Sequence, residues 1–295
     1  MTALTPTASQ VEAIIREERL PPAYGDIVDG YWRPLATQIA DWRKAAGRPI
    51  IVGVNGAPGS GKSTLVRFLT EALLPELRLS SAALSLDDYY LSKACRRELA
   101  RAIHPLFAVR GVPGTHNIEA LNRDIRALRG GAAELEVPVF DKACDDRAET
   151  PRRLRLSSPA DIVLLEGWCI GAAAQAPGEL ADPVNDLERD EDPDGVWRRH
   201  ANDMLAGPYG DLFSGLDRLV MLAVKDMESV FTGRMRQERK LRELSPHASG
   251  LMSDTELRRF ISAYERITRA MLSDLPGRAD AVIDVDGTDA EVAAA

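Results

Sequence analysis

Gly56-Ala57-Pro58-Gly59-Ser60-Gly61-Lys62-Ser63, followed by Thr64, fits the pattern G-x-x-x-x-G-K-[ST]. Glycines at these positions let successive backbone N–H groups converge on phosphate oxygens, and a helix opening at the lysine adds the positive end of its dipole. Lys62 can reach the β- and γ-phosphates of a bound nucleotide, and Ser63 offers a hydroxyl to Mg²⁺. The loop alone leaves a kinase, a GTPase, a motor and an ATP-driven switch open, because all of them use it.

Carboxylates follow at two strand ends. Ser85-Leu86-Asp87-Asp88-Tyr89-Tyr90 closes an apolar run, which places two acids and two aromatics at the carboxyl edge where open α/β sheets bind ligands. A hydroxyl that accepts a phosphoryl group needs a carboxylate to orient it and take its proton, and Asp87 is the residue chosen for that work, with Lys62 as its catalytic partner. Asp88 suits either a helix cap or a substrate contact, and Tyr89 and Tyr90 suit either packing or a substrate wall. Ile162-Val163-Leu164-Leu165-Glu166-Gly167 ends another run with an acid, so Glu166 is expected near Mg²⁺ or its waters.

The elements that must position these groups read as α/β with a mainly parallel sheet. Short continuous apolar runs, typical of strands buried on both faces, occur at 49–55, 82–86, 161–165, 219–224 and 281–285, separated by segments long enough for helical crossovers. Before them, Val11, Ile14, Ile15, Ile27, Tyr31, Leu35 and Ile39 keep helical spacing, which predicts an N-terminal helical extension over 1–47 ahead of a P-loop domain over 48–295. Ser253-Asp254-Thr255-Glu256 is a capping box, and Leu257, Phe260, Ile261, Tyr264, Ile267 and Met271 form one apolar face behind it, read as structural. The acidic stretch 187–195 reads as a solvated loop.

Composition narrows the partners. A net charge of −8 over 295 residues argues against a nucleic-acid binder, which needs excess Lys and Arg to displace counterions. Three cysteines without a CxxC pair suggest neither a disulfide framework nor a zinc site. Neither a signal-peptide pattern nor an apolar stretch of membrane-spanning length is present, so the expectation is a soluble, cytoplasmic protein.

Taken together, the loop 56–63, Ser85–Tyr90, Pro138-Val139-Phe140-Asp141-Lys142 with Arg147, and Leu165-Glu166-Gly167 resemble the uridine kinase, phosphoribulokinase and pantothenate kinase group. More closely, His104-Pro105-Leu106, Arg110-Gly111-Val112-Pro113-Gly114-Thr115-His116, Glu166-Gly167-Trp168-Cys169, Glu191-Asp192-Pro193-Asp194-Gly195 and Leu205-Ala206-Gly207-Pro208-Tyr209 are similar to the D-glycerate 3-kinase family, over residues 48 to 285. That resemblance implies ATP with Mg²⁺ and conversion of D-glycerate to 3-phosphoglycerate. A carboxylate-bearing acceptor needs a fixed cation, for which Arg110 is the first candidate. Asp141, Lys142 and Arg147 resemble an acceptor-binding segment, and His116 suits either a ligand role or a turn-holding one. The stretch 226–250 stands where such kinases carry a lid, with Arg236 and Arg239 as its phosphate-facing arginines. Cys144 departs from the family-like string. A kinase for pantothenate or a nucleoside, and a regulatory P-loop NTPase without a small acceptor, are the alternatives.

Overall fold

A computed structural model describes residues 8–244 and 252–285. The chain enters through α1 (Ala8–Glu17) and α2 (Tyr24–Ile27), the latter continuing through a wider turn at Val28–Trp32 into α3 (Arg33–Ala46). Strand β1 (Ile50–Gly56) leads to α4 (Lys62–Phe68), which runs on through Leu69–Leu73 to α5 (Leu74–Glu76). After β2 (Ser81–Ser85) come α6 (Lys93–Ala102) and α7 (Ile118–Arg129). Two antiparallel ribbons follow, β3 (Glu134–Val137) with β6 (Arg152–Arg155), and between them β4 (Phe140–Asp141) with β5 (Asp146–Arg147). The chain returns to the sheet at β7 (Ile162–Gly167), then builds α8 (Asp186–Glu191), α9 (Val196–Met204) and α10 (Gly210–Ser214) before β8 (Arg218–Ala223). Helices α11 (Met227–Leu244) and α12 (Asp254–Asp274) precede β9 (Ala281–Asp284).

Five strands pair in parallel in the order β2-β7-β1-β8-β9. Strands β1 and β7 are buried at every residue, which is why their sequences are continuous apolar runs and not alternating ones. Register sets the functional edge: Val54 of β1 and Ser85 of β2 both stand opposite Glu166 of β7. Gly56, Asp87 and Glu166 therefore leave the sheet at one edge.

Each face of the sheet has its own core. Ile51, Leu84 and Leu165 pack with Leu121, Trp168, Tyr264 and Met271 on one side. Ile50, Val52, Val54 and Leu164 pack on the other with Phe68 and Leu69 and with Ile14, Trp32 and Ile39, so the N-terminal helices share a core with the helix that follows the glycine-rich loop. Among the described residues no helix is long and apolar enough to cross a membrane.

One element departs from the sequence reading. The acidic stretch 187–195 is not a solvated loop: Asn185 caps α8, and Leu187, Glu188 and Asp192 are buried. The acids are tolerated inside because Arg266 donates to Glu188 at 2.6 and 2.8 Å, and Asp192 accepts from Arg198 at 3.2 Å and from two backbone N–H groups. Residues 245–250 of the expected lid lie outside the described residues.

Candidate active site

The phosphate end is built by the turn from β1 into α4. Gly59 and Gly61 have φ of +90° and +85°, the left-handed region that glycine enters without a Cβ penalty. At Gly59 a Cβ would also lie 2.5 Å from the carbonyl carbon of Gly233, so the backbone of α11 rests directly on the loop. Ala57 is buried against Val230, Leu257 and Ile261, which joins α11 and α12 to the same turn. Ser63 Oγ donates to Glu166 Oε1 at 3.1 Å, and Lys62 Nζ is 4.0 Å from Glu166 Oε2, a buried oxygen with no hydrogen-bond partner. A hydroxyl beside an unpartnered carboxylate oxygen is a donor set suited to a hard cation. The described residues contain no group of three or more His, Cys, Asp or Glu able to hold a metal, so phosphates and water would complete the shell.

Asp87 lies in a single 3₁₀ turn, Leu86–Tyr89, just past β2. Its Oδ2 accepts from Lys142 Nζ at 2.7 Å. Burial pushes its carboxyl up, but Lys142 and Lys62 outweigh burial and hold it well below the usual carboxylate range. Reciprocally, Asp87 pushes the Lys142 ammonium up. Lys142 reaches across from the β4–β5 turn, so the pair ties that ribbon to the sheet edge.

Around this pair is a cavity of about 330 Å³. Pro58, Gly59, Lys62 and Ser63 line one end together with Arg234 and Gln237 of α11. Asp87, Lys142 and Arg110 line the other with Tyr90, Trp168 and Tyr264, and Phe260 lies near both arginines, its ring centre 6.0 Å from the Arg110 and 5.9 Å from the Arg234 guanidinium carbon. The walls are braced: Trp168 Nε1 donates to the Gly111 carbonyl at 3.0 Å, and Trp168 and Tyr264 meet edge to face at 4.6 Å. Gly111, at φ +145°, lets its loop approach Tyr264, because a Cβ there would stand 2.6 Å from the phenol oxygen.

The structure thus brings Asp87, Lys62, Lys142, Arg110, Ser63 and Glu166 to one place. Other residues singled out from the sequence stand elsewhere. Tyr89 is buried with its hydroxyl donating to Asp124 at 2.8 Å, and Asp88 accepts from the Phe140 N–H at 3.3 Å instead of capping a helix. His116 sits behind Tyr90, stacked on it at 4.2 Å, with Nδ1 2.6 Å from the Tyr209 hydroxyl; burial pushes its imidazole down to about 3. Asp141 accepts from the N–H groups of Ala143 and Cys144, holding its own turn, and Arg147 is exposed on β5. Arg236 and Arg239 do not line the cavity, and Arg239 is exposed. Helical phase turns Arg234 toward the phosphate loop instead, beside Gly233. Helix α12, read as purely structural, supplies Phe260 and Tyr264 as walls. Their four-residue spacing belongs to the apolar periodicity that marks any core face, so no local signal set them apart.

No protein-family profile matches the chain. The chain is 32% identical over 231 residues to an uncharacterized kinase, mug58, of Schizosaccharomyces pombe, covering 75% of this chain and 80% of that one. It is 27% identical over 236 residues to the chloroplastic D-glycerate 3-kinase of Arabidopsis thaliana, covering 77% of this chain but 48% of that relative. A solved D-glycerate 3-kinase from Cryptococcus neoformans superposes with a TM-score of 0.65 at 24% identity, over 80% of this chain and 88% of the other, and shares the fold.

Proposed function

The chain belongs to the D-glycerate 3-kinase family of P-loop kinases, ATP-dependent phosphotransferases acting on a hydroxyl, and we propose that this member converts D-glycerate to 3-phosphoglycerate. The observation that carries the reading is a single cavity that gathers Lys62, Arg234, Arg110 and Lys142 with Asp87, whose carboxylate accepts from Lys142 at 2.7 Å. At the phosphate end the glycine-rich loop, Lys62 and Arg234 suit a triphosphate. At the acceptor end the Arg110 guanidinium suits a carboxylate, which it can meet with two parallel N–H groups. A three-carbon hydroxy acid presents that carboxylate and a hydroxyl within the reach of one small cavity.

In the resting site two lysines keep Asp87 anionic, so its first task is to orient the acceptor hydroxyl. A nucleotide that draws Lys62 to its phosphates removes one of those cations and raises the proton affinity of Asp87. The acceptor oxygen then bonds to the γ-phosphorus, the bond from that phosphorus to the β–γ bridging oxygen breaks, ADP leaves, and the hydroxyl proton passes to Asp87. Ser63 and the unpartnered oxygen of Glu166 would hold Mg²⁺, which supplies charge neutralisation at the phosphates. Trp168, Tyr90 and Tyr264 exclude water that would otherwise hydrolyse ATP. The three cysteines are unpaired, which fits the reducing cytoplasm we assign to the protein.

ATP consumption by the purified protein with D-glycerate, L-glycerate, pantothenate or uridine tests the assignment. Stimulation by D-glycerate alone is expected. Stimulation by pantothenate or uridine, or by none of the four, overturns it.

A further inference from the structure

Two aromatic rings and one carboxylate surround Arg110. Its guanidinium carbon is 5.5 Å from the Phe140 ring centre and 6.0 Å from that of Phe260, and its Nη1 donates to Asp145 Oδ1. Asp145 is itself fixed. It is a non-glycine residue at φ +54°, a region that side chains other than Asn and Asp seldom enter. Arg96, with no exposed surface, donates to Asp145 Oδ2 at 3.0 Å and to the Asp145 carbonyl at 2.6 Å. The remaining donors of Arg96 reach the carbonyls of Leu91 at 3.2 Å and Ala108 at 3.0 Å. One buried arginine therefore joins the segment before α6, the segment before Arg110 and the β4–β5 turn, and it pins one oxygen of Asp145 so that the other meets Arg110.

We propose that Asp145 is a positioning residue for the acceptor: held by Arg96, it aims the Arg110 guanidinium so that the donors it leaves free face the substrate carboxylate. The inference rests on the reading of the acceptor as a small hydroxy acid. An arginine side chain is long and loses rotamer freedom when it binds. A carboxylate already in place removes that freedom before the acceptor arrives, and it selects one orientation of the planar fork. The ribbon does not depend on Asp145 alone, because Asp141 accepts from two N–H groups of the turn and Asp146 Oδ1 accepts from the N–H groups of Lys93 and Arg147. Asp145→Asn should therefore fold: asparagine tolerates the left-handed backbone and keeps an acceptor oxygen, but it lacks the charge that holds Arg110.

The test pairs kinetics with chemical labelling of Asp145→Asn and Arg110→Ala. Asp145→Asn is expected to raise KM for D-glycerate about tenfold with KM for ATP within about twofold, the size expected from weakening one charge-assisted contact. Phenylglyoxal labelling, followed peptide by peptide, is expected to run about fivefold faster at Arg110 in the variant and at an unchanged rate at Arg234. Labelling of Arg110 at the wild-type rate overturns the proposal whatever the kinetics show. Faster labelling with an unchanged acceptor KM also overturns it and leaves Asp145 a scaffold residue only. A raised acceptor KM in Arg110→Ala without one in Asp145→Asn leaves the hydroxy-acid reading standing and removes the positioning role. An unchanged acceptor KM in Arg110→Ala shows that the carboxylate assignment itself has failed.

Discussion

The phosphate end of the cavity comes mainly from one stretch of chain, Gly56 to Ser63, whereas the acceptor end is gathered from Asp87 and Tyr90 after β2, Arg110, Lys142, Trp168 after β7, and Tyr264 on α12. At the first end the backbone does the binding, so its geometry is set by two left-handed glycines and a helix start. At the second, on the proposed function, side chains would do the binding, and each rests on a remote brace: Trp168 on the Gly111 carbonyl, Lys142 on Asp87, Arg110 on Asp145. The difference makes the phosphate end portable between chemistries and the acceptor end specific to one. Changes at the acceptor end should therefore alter turnover or acceptor affinity while leaving nucleotide binding intact.

Asp87→Asn offers the most severe test of that separation. It should lower kcat about 10³-fold, in the range of a lost proton acceptor, with nucleotide affinity within about threefold of wild type. Isothermal titration with ATP beside steady-state kinetics reads both quantities. A kcat loss below about tenfold would remove Asp87 from the reacting centre. Next in size is the contrast on α11, where Arg234→Ala should cost about 10²-fold in kcat/KM for ATP and Arg239→Ala less than about twofold. Equal losses would mean that the helix turns its exposed face inward during turnover.

That contrast also marks where sequence ceases to be sufficient. The central strands β1 and β7 are legible because a strand covered on both faces must be apolar throughout, the edge strands β2 and β9 alternate in burial and are legible only as short apolar runs, and the loop is legible because its chemistry is contiguous. Asp87, Arg110 and Lys142 are readable as charged residues at strand ends or beside glycine. The phase of α11 is not, because Arg234 is singled out only by the rest of Gly233 on Gly59, a contact between distant parts of the chain. Phe260 and Tyr264 are hidden for the opposite reason, since an aromatic on an apolar face looks like core until the cavity is seen. The acidic stretch misleads because its partners, Arg198 and Arg266, are supplied by α9 and α12.

His116 separates scaffold from site by pH. Its pKa, pushed down to about 3 by burial, lies below the unfolded value, so between those two values the unfolded chain binds a proton that the folded chain does not. Stability must then fall as pH falls through that window, by about 2 kcal/mol between pH 7 and pH 5. Melting curves of wild type and His116→Gln should show that slope only in the former. Within the fold the imidazole stays neutral across that window, so kcat should carry no limb assignable to His116. A limb near pH 6.5 that the substitution abolishes would instead put the imidazole at the reacting centre.

The smallest effect concerns whether the phosphate end is as self-contained as its sequence. Arg67, on the helix that starts at Lys62, donates to Glu18 at 2.7 Å and to Glu71 at 3.1 Å, and pairs with Glu17, so α1 is fastened to the nucleotide-binding helix by charge as well as by the shared core. These side chains are partly exposed, and solvent screens the pairs, so Arg67→Met should cost only about 1 kcal/mol and lower Tm by about 2–4 °C. KM for ATP should stay within about twofold, because the loop holds phosphates through its own backbone and Arg67 lies beyond the first turn of the helix. A tenfold rise in KM at a comparable Tm would show that the loop needs α1 to hold its shape. The phosphate end would then depend on long-range bracing just as the acceptor end does.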